Sequence, residues 1–321
     1  GCLPAATALS FPSGGVRAPV LCLLSGAPGR GGPPAVLSFS ELKALAAPEV
    51  DSSRFNYHLQ ELVGPYVERV ETEEVWEDAN RPVPGMAGDP EPGYQLTTEG
   101  TTLIRTIRAW SSEGERDRHL EIEQDCYHCG EALTARYESA SLVIDCPGCE
   151  YLYDYNLTPP GVFTGVDDEF ADADDGDALR RAAEYNRHVR LAFARGVCPY
   201  CGNGVDSEFQ NPDETGYPRG DLRAALIRRG CSHCGNKDNL TVGELLLREP
   251  RLIAFCLNHA LDATRAPIWA IEFAATDRHT TVRSTDPWEV AVTVAFDDAE
   301  RTFVVDDSLS VAVESNDCCP P

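Results

Sequence analysis

The sequence predicts an α+β protein built from three stretches. Three observations predict it. Residues 38–110 read as helix, turn, helix, strand, loop, strand, helix. The middle of the chain carries four C-x-x-C pairs. Residues 268–313 alternate apolar and polar side chains, as a small antiparallel sheet requires.

Residues 1–37 are rich in Gly, Pro and Ala, and Gly29–Pro34 is a loop. A short apolar helix fits Arg17–Leu24, although Pro19 opposes its early turns. Val20–Leu24 is too short, and lacks the basic lead, for a signal peptide, so no targeting segment is expected. Ser38 and Glu41 form a capping box for a helix through Leu45. After the turn at Ala46–Val50, Asp51 or Ser52 caps a second helix, Ser53–Val63. Tyr66–Val70 and Tyr94–Thr97 read as strands around a long acidic loop holding Glu71, Glu73, Glu74, Glu77, Asp78, Asp89 and Glu91. Gly100–Trp110 is a helix with Leu103, Ile104 and Ile107 on its apolar side. This is the order of a winged helix-turn-helix.

On a helical wheel, Phe55, Leu59 and Leu62 form the buried stripe of the second helix. Ser53, Arg54, Asn56, Tyr57 and Gln60 lie on or beside the opposite face. Arg can bind guanine bidentately, Asn and Gln can bind adenine, and Ser and Tyr reach phosphates. These five are the candidate DNA-contacting residues, and any solvated surface helix is the plainer alternative. His58 sits beside the stripe and reads as a half-buried packing residue.

Three segments carry a resemblance: Leu37–Leu42, Phe55–Val63 and Gly93–Gly100. Over residues 38–110 the chain resembles the ArsR-like winged-helix transcription regulators of haloarchaea, and the part after residue 115 is similar to the zinc-knuckle region that follows in such proteins. The resemblance implies a recognition helix in the major groove of double-stranded DNA. Gly14, Gly15 and Pro19 interrupt the family's first helix, and the loop between the strands is longer and more acidic than the pattern.

Cys126/Cys129 with Cys146/Cys149, and Cys198/Cys201 with Cys231/Cys234, make two sets of four thiolates. Sixteen residues separate the pairs of the first set and 29 those of the second. Two such turns complete a tetrahedral sulfur site, so two structural Zn2+ ions are expected, with iron or redox dithiols as alternatives. With every position a thiolate, no open coordination site remains for catalysis. Ser141–Asp145 and Tyr151–Tyr155 read as strands around the first set. His128 and His233 are expected to face solvent, and Cys256 to be a buried small hydrophobe.

Asp167–Asp177 is an acidic loop leading into a helix, Asp177–Arg195. On this helix Arg180, Arg181, Arg187, Arg190 and Arg195 share one face opposite Ala182, Tyr185, Val189, Ala192 and Phe193. That face reads either as a second phosphate contact or as arginines neutralised by the acidic loop. Leu240–Leu261 reads as two helical pieces split before Pro250, and residues 314–321 as a frayed tail.

The predicted divisions are 1–110, a winged helix-turn-helix DNA-binding domain; 111–160, a first zinc ribbon; and 161–321, a helix, the second knuckle set and an α+β region. Apolar residues make up 42% of the 321, enough for cores, and no run approaches the roughly 20 apolar residues of a membrane span. The net charge is −25, with only 2 Lys among 27 basic residues, as in proteins that stay soluble in molar salt; a merely acidic protein from a GC-rich genome is the alternative. Residues 1–70 balance 5 basic against 5 acidic residues, so the whole excess lies after them. No G-x-S-x-G, P-loop, H-E-x-x-H or strand-to-helix G-x-G-x-x-G occurs, and no enzyme is expected. The expectation is a cytoplasmic, homodimeric DNA-binding regulator without membrane contact, whose C-terminal region could dock a protein partner. The alternative is a zinc-ribbon adaptor whose winged helix no longer reads DNA.

Overall fold

The computed structural model describes residues 15–26, 36–70, 93–110, 117–163, 174–215, 219–297 and 299–314. The chain divides into two compact units, 1–111 and 112–321. The fold is α+β, with eight α-helices and four small antiparallel sheets among the described residues. None of these helices is long and apolar enough to cross a membrane. The acidic loops at 71–92 and 167–173 and the tail at 315–321 lie outside the described residues.

In the first unit, α1 (Arg17–Leu24) forms in spite of Pro19 and buries Val20, Leu21 and Leu24. Pro19 falls in the first turn, where a backbone N–H has no helical acceptor and its absence costs nothing. In α2 (Phe39–Ala46) the capping box is closed on both sides: Ser38 Oγ accepts from Glu41 N at 3.3 Å and Glu41 accepts from Ser38 N at 2.8 Å. Asp51, not Ser52, caps α3 (Ser52–Leu62), accepting from Arg54 N at 2.9 Å. β1 (Val67–Val70) and β2 (Gly93–Leu96) pair antiparallel, Val67 opposite Leu96.

α4 (Thr98–Trp110) follows β2 directly. Gly100 has a steric reason to be glycine, because a Cβ there would stand 2.1 Å from the Tyr66 carbonyl oxygen. The expected apolar side of α4 needs correction at Ile107, which is 42% exposed. The core-facing line runs through Gly100 and Ile104 to Arg108, whose guanidinium donates to the Cys22 and Gly26 carbonyls at the end of α1. One core gathers α1, Leu42, the α3 stripe Phe55, Leu59 and Leu62, and the two strands.

The second unit holds three sheets. β3 (Arg118–Leu120), β4 (Thr134–Glu138), β5 (Ser141–Asp145) and β6 (Leu152–Leu157) form a meander. A 20-residue helix, α5 (Asp175–Ala194), follows, capped by Asp174. β7 (Asp206–Gln210), β8 (Leu226–Gly230) and β9 (Lys237–Thr241) form the second sheet. Then come α6 (Val242–Leu246), α7 (Pro250–Asn258), α8 (Glu272–Ala275) and the meander β10 (Thr280–Thr285), β11 (Trp288–Phe296), β12 (Ala299–Asp306) and β13 (Val311–Val313).

Two expectations for the elements of this unit are corrected. Leu240 and Thr241 end a strand rather than begin a helix, and Thr241 then caps α6 in a capping box with Glu244. Trp269, Ile271 and Phe273 do not belong to the sheet: Ile268–Ala270 is a 3-10 turn and α8 follows it. Their alternation misled because Ala274 and Ala275 are buried too, so the segment is apolar on more than one side. α8 lies against α6 so closely that a Cβ on Gly243 would fall 1.7 Å from the Phe273 carbonyl oxygen.

The arginines of α5 do not act as one face: neutralisation by the acidic segment holds for Arg180 and Arg181, and Arg187 and Arg190 depart from it. Arg180 and Arg181 pair with Asp177. Arg187 and Arg190 point inward, where Arg187 donates to the Ala263 and Ala266 carbonyls and Arg190 bridges Asp154 and Glu244. The buried carboxylates decide this, since each must be matched by a charge or stay protonated.

Candidate functional site

Each cysteine pair sits on the same backbone turn. In the first, Gly130 N donates to Cys126 O at 2.9 Å and Cys126 N to Glu131 O at 2.8 Å. The same two bonds recur from Glu150 and Cys146, from Gly202 and Cys198, and from Gly235 and Cys231. The turn needs a left-handed residue just after its second cysteine, with φ between 60° and 79° in the four cases. Glycine meets this need three times, and Glu150 takes the strained position in the fourth. The Cys146 and Cys231 turns follow β5 and β8 directly. The Cys126 and Cys198 turns are closed by the isolated bridges Asp125–Ala132 and Val197–Gly204 ahead of β4 and β7, the strands that pair with β5 and β8, so sheet pairing brings the two members of each quartet together.

In both quartets the sulfurs lie within 4.8 Å of one another. Cys126 and Cys149 are 3.6 Å apart and Cys129 and Cys146 3.4 Å, with 3.6 Å and 3.5 Å for Cys198–Cys234 and Cys201–Cys231. A disulfide would need about 2.05 Å. Four sulfurs at about 2.3 Å from a central ion would stand about 3.8 Å apart, close to what is observed. The donor set therefore fits a tetrahedral metal ion, and all eight cysteines expected as ligands are brought together.

Electrostatics within the quartets points the same way. Burial pushes the Cys126 thiol up, but the Tyr153 hydroxyl and the N–H groups of Cys129 and His128 outweigh it and bring it to about 6. Burial likewise raises Cys198, and the N–H groups of Tyr200 and Cys201 return it to about 6. Burial together with its neighbouring sulfurs sends Cys146 up to about 12. In the first quartet Cys126 is lowered while Cys146 and Cys149 are raised, and in the second Cys198 and Cys231 are lowered while Cys201 and Cys234 are raised, because several negative sulfurs in one small volume need a cation.

Sequence reasoning missed the residues that brace the first quartet. Tyr153 donates its hydroxyl to Cys126 Sγ at 3.2 Å and accepts from Tyr127 N at 2.8 Å. Its signal was present, as a tyrosine two residues beyond the second turn on a strand. His128, expected to face solvent, is half-buried with its ring 4.4 Å from that of Tyr151, and burial lowers its pKa. His233 is exposed and Cys256 is fully buried, burial raising its thiol to about 11.

On α3, Ser53, Arg54, Asn56, Tyr57 and Gln60 are all exposed, while Phe55, Leu59 and Leu62 are fully buried. Asn56 Oδ1 accepts from Gln60 Nε2 at 3.5 Å along that face. His58 is half-buried, and burial, with Arg17 and Arg54 nearby, lowers its pKa.

Residues 5–107 match the family DUF7347, described as a domain of unknown function. No curated protein and no solved structure matches the chain. Residues 123–311 match DUF7351, likewise described as a domain of unknown function. That match spans both quartets and more than half of the chain, so the protein belongs to the DUF7351 family.

Proposed function

We propose that the protein is a sequence-specific DNA-binding transcription regulator of the ArsR-like kind, with two structural zinc ions in its second unit. The observation that carries the reading is α3, whose apolar stripe is buried while its five base- and phosphate-competent side chains are exposed. In this reading α2 and α3 form the helix-turn-helix, β1 and β2 flank the wing, and α3 enters the major groove with its N-terminal residues foremost. A homodimer would read two half-sites. The charge balance of residues 1–70 supports the placement, since the large acidic excess lies elsewhere. In molar salt little counterion release remains, so base contacts and shape would supply most of the affinity.

Zinc would be held by Cys126, Cys129, Cys146 and Cys149, and by Cys198, Cys201, Cys231 and Cys234. It would tie strand ends together and supply no reaction, because every ligand position is a thiolate. The second reading, an adaptor that binds a protein partner, is favoured by Tyr155 and Leu157, 51% and 52% exposed on the edge strand β6.

Genomic DNA fragments selected by the purified, metal-loaded protein in molar KCl test the two. Enrichment of a short palindrome, lost in an Arg54→Ala/Tyr57→Ala variant, is the expected result. A folded protein that enriches no sequence supports the adaptor.

A further inference from the structure

One face of α5 is polar where a core helix is ordinarily apolar. Ala183, Asn186, Arg187, Arg190, Leu191 and Ala194 follow the spacing of a single helical face and line a cavity of about 540 Å³. Ile253, Ala254 and Leu257 of α7 form the facing wall, and Trp269 adds an aromatic surface. The volume is in the range of small-molecule sites, about 300–1,000 Å³, as is a lining that is largely apolar with a few polar groups.

At the polar end both buried carboxylates are matched by the Arg190 guanidinium, Glu244 Oε1 through its ion pair alone, and two donors make no hydrogen bond. Asp154 accepts from Arg190 at 2.5 Å and from Asn156. Glu244 pairs with the other arm of Arg190 and accepts from Thr241 N at 2.8 Å. Asn186 is only 3% exposed, and its Oδ1 accepts from Thr158 at 3.4 Å, yet its Nδ2 has no hydrogen-bond partner. Arg187 spends both terminal nitrogens on the Ala263 and Ala266 carbonyls, but its buried Nε makes no hydrogen bond, and the Glu184 carboxylate stands 3.7 Å from it. Buried donors without acceptors carry their full desolvation cost, so a site that leaves two on one helical face is complete only with an acceptor between the helices.

We propose that this cavity binds a small amphipathic monocarboxylate, its hydrocarbon body between α5 and α7 and its carboxylate accepting from Asn186 Nδ2 and Arg187 Nε. A cationic head finds both buried carboxylates already taken by Arg190. A wholly apolar ligand leaves the two donors unpaired. Arg187 and Arg248, both lining the cavity, have their pKa lowered by burial, which the carboxylates of Glu184 and Asp262 beside the first and Glu249 beside the second offset only in part. The proposal concerns the second unit alone and stands whether or not α3 reads DNA.

Calorimetric titration of the full-length, metal-loaded protein with octanoate tests it, with octyltrimethylammonium as the cationic control. The expected result is one saturable octanoate site that the cation does not share. Asn186→Leu and Arg187→Met each weaken it at least tenfold. Ala254→Trp, a substitution at an exposed rim position that removes no polar group, abolishes it. Circular dichroism and a thermal melt establish that each variant is folded; if the polar variants are not, Ala254→Trp alone decides. Absence of saturable octanoate binding, equal binding of the cation, or full binding by folded Ala254→Trp protein would overturn the proposal.

Discussion

Arg190 ties three elements of the second unit together, reaching from α5 to Asp154 on β6 and Glu244 on α6. Its guanidinium meets Asp154 and Glu244, whose side chains are 1% and 7% exposed, from a position itself 12% exposed. Burial raises the pKa of Asp154 and Arg190 opposes the rise. Removing one partner of a buried ion pair costs about 3–5 kcal/mol, because the other charges are left unmatched. Arg190→Leu is therefore expected to lower stability by that order in urea denaturation, with Arg190→Leu/Asp154→Leu recovering part of it. A loss below about 1 kcal/mol would show that the carboxylates are protonated or hydrated without the arginine. This contact was not legible in the sequence. A wheel places Arg190 among its neighbours on the helix, but nothing local announces acids 36 residues upstream and 54 downstream.

At the scale of elements, what the sequence disclosed was what is local. The Ser38–Glu41 box and the Asp51 cap act over three residues, and both are present. The C-x-x-C turns are likewise self-contained, which is why all eight cysteines that come together in the two quartets were legible. The segment from Trp269 to Phe273 failed because its periodicity is short and its environment is set by α6 and Trp269's own burial. Caps also make stability depend on pH. The Arg54 N–H held by Asp51 draws the Asp51 carboxyl below its ordinary 3.8. The folded pKa lies below the unfolded one, so this stabilisation is present above pH 3.8 and is lost as pH falls through the folded value. Asp51→Ala is expected to destabilise the first unit at neutral pH, and the gap to the parent should narrow as the pH drops toward 3. A gap constant over that range would mean that the charge of the cap contributes nothing.

Across the whole molecule, charge is distributed as unevenly as the fold. Residues 71–321 carry 47 acidic against 22 basic residues, and many arginines are already committed to buried or local partners. The remaining acidic surface repels itself, and the Debye length shrinks from about 10 Å at 0.1 M salt to about 3 Å at 1 M. Thermal stability is expected to rise steadily between 0.1 M and 2 M KCl. A melting temperature that stays flat or falls would remove salt adaptation as the reason for the composition.

Loaded with metal, the two quartets would also fasten the chain as clasps fasten rings of different size. One closes over 16 residues and the other over 29. Closure entropy scales with the logarithm of ring length, so the larger ring costs only about 0.5 kcal/mol more to close, less than one ordinary hydrogen bond contributes. Ring size therefore does not decide which clasp opens first; access to the sulfurs does. The smaller ring shields three of its four cysteines from full exposure, and the larger one leaves Cys201 and Cys234 both exposed. A chelator added to the loaded protein should withdraw metal in two phases, and Cys198→Ser should erase the faster one.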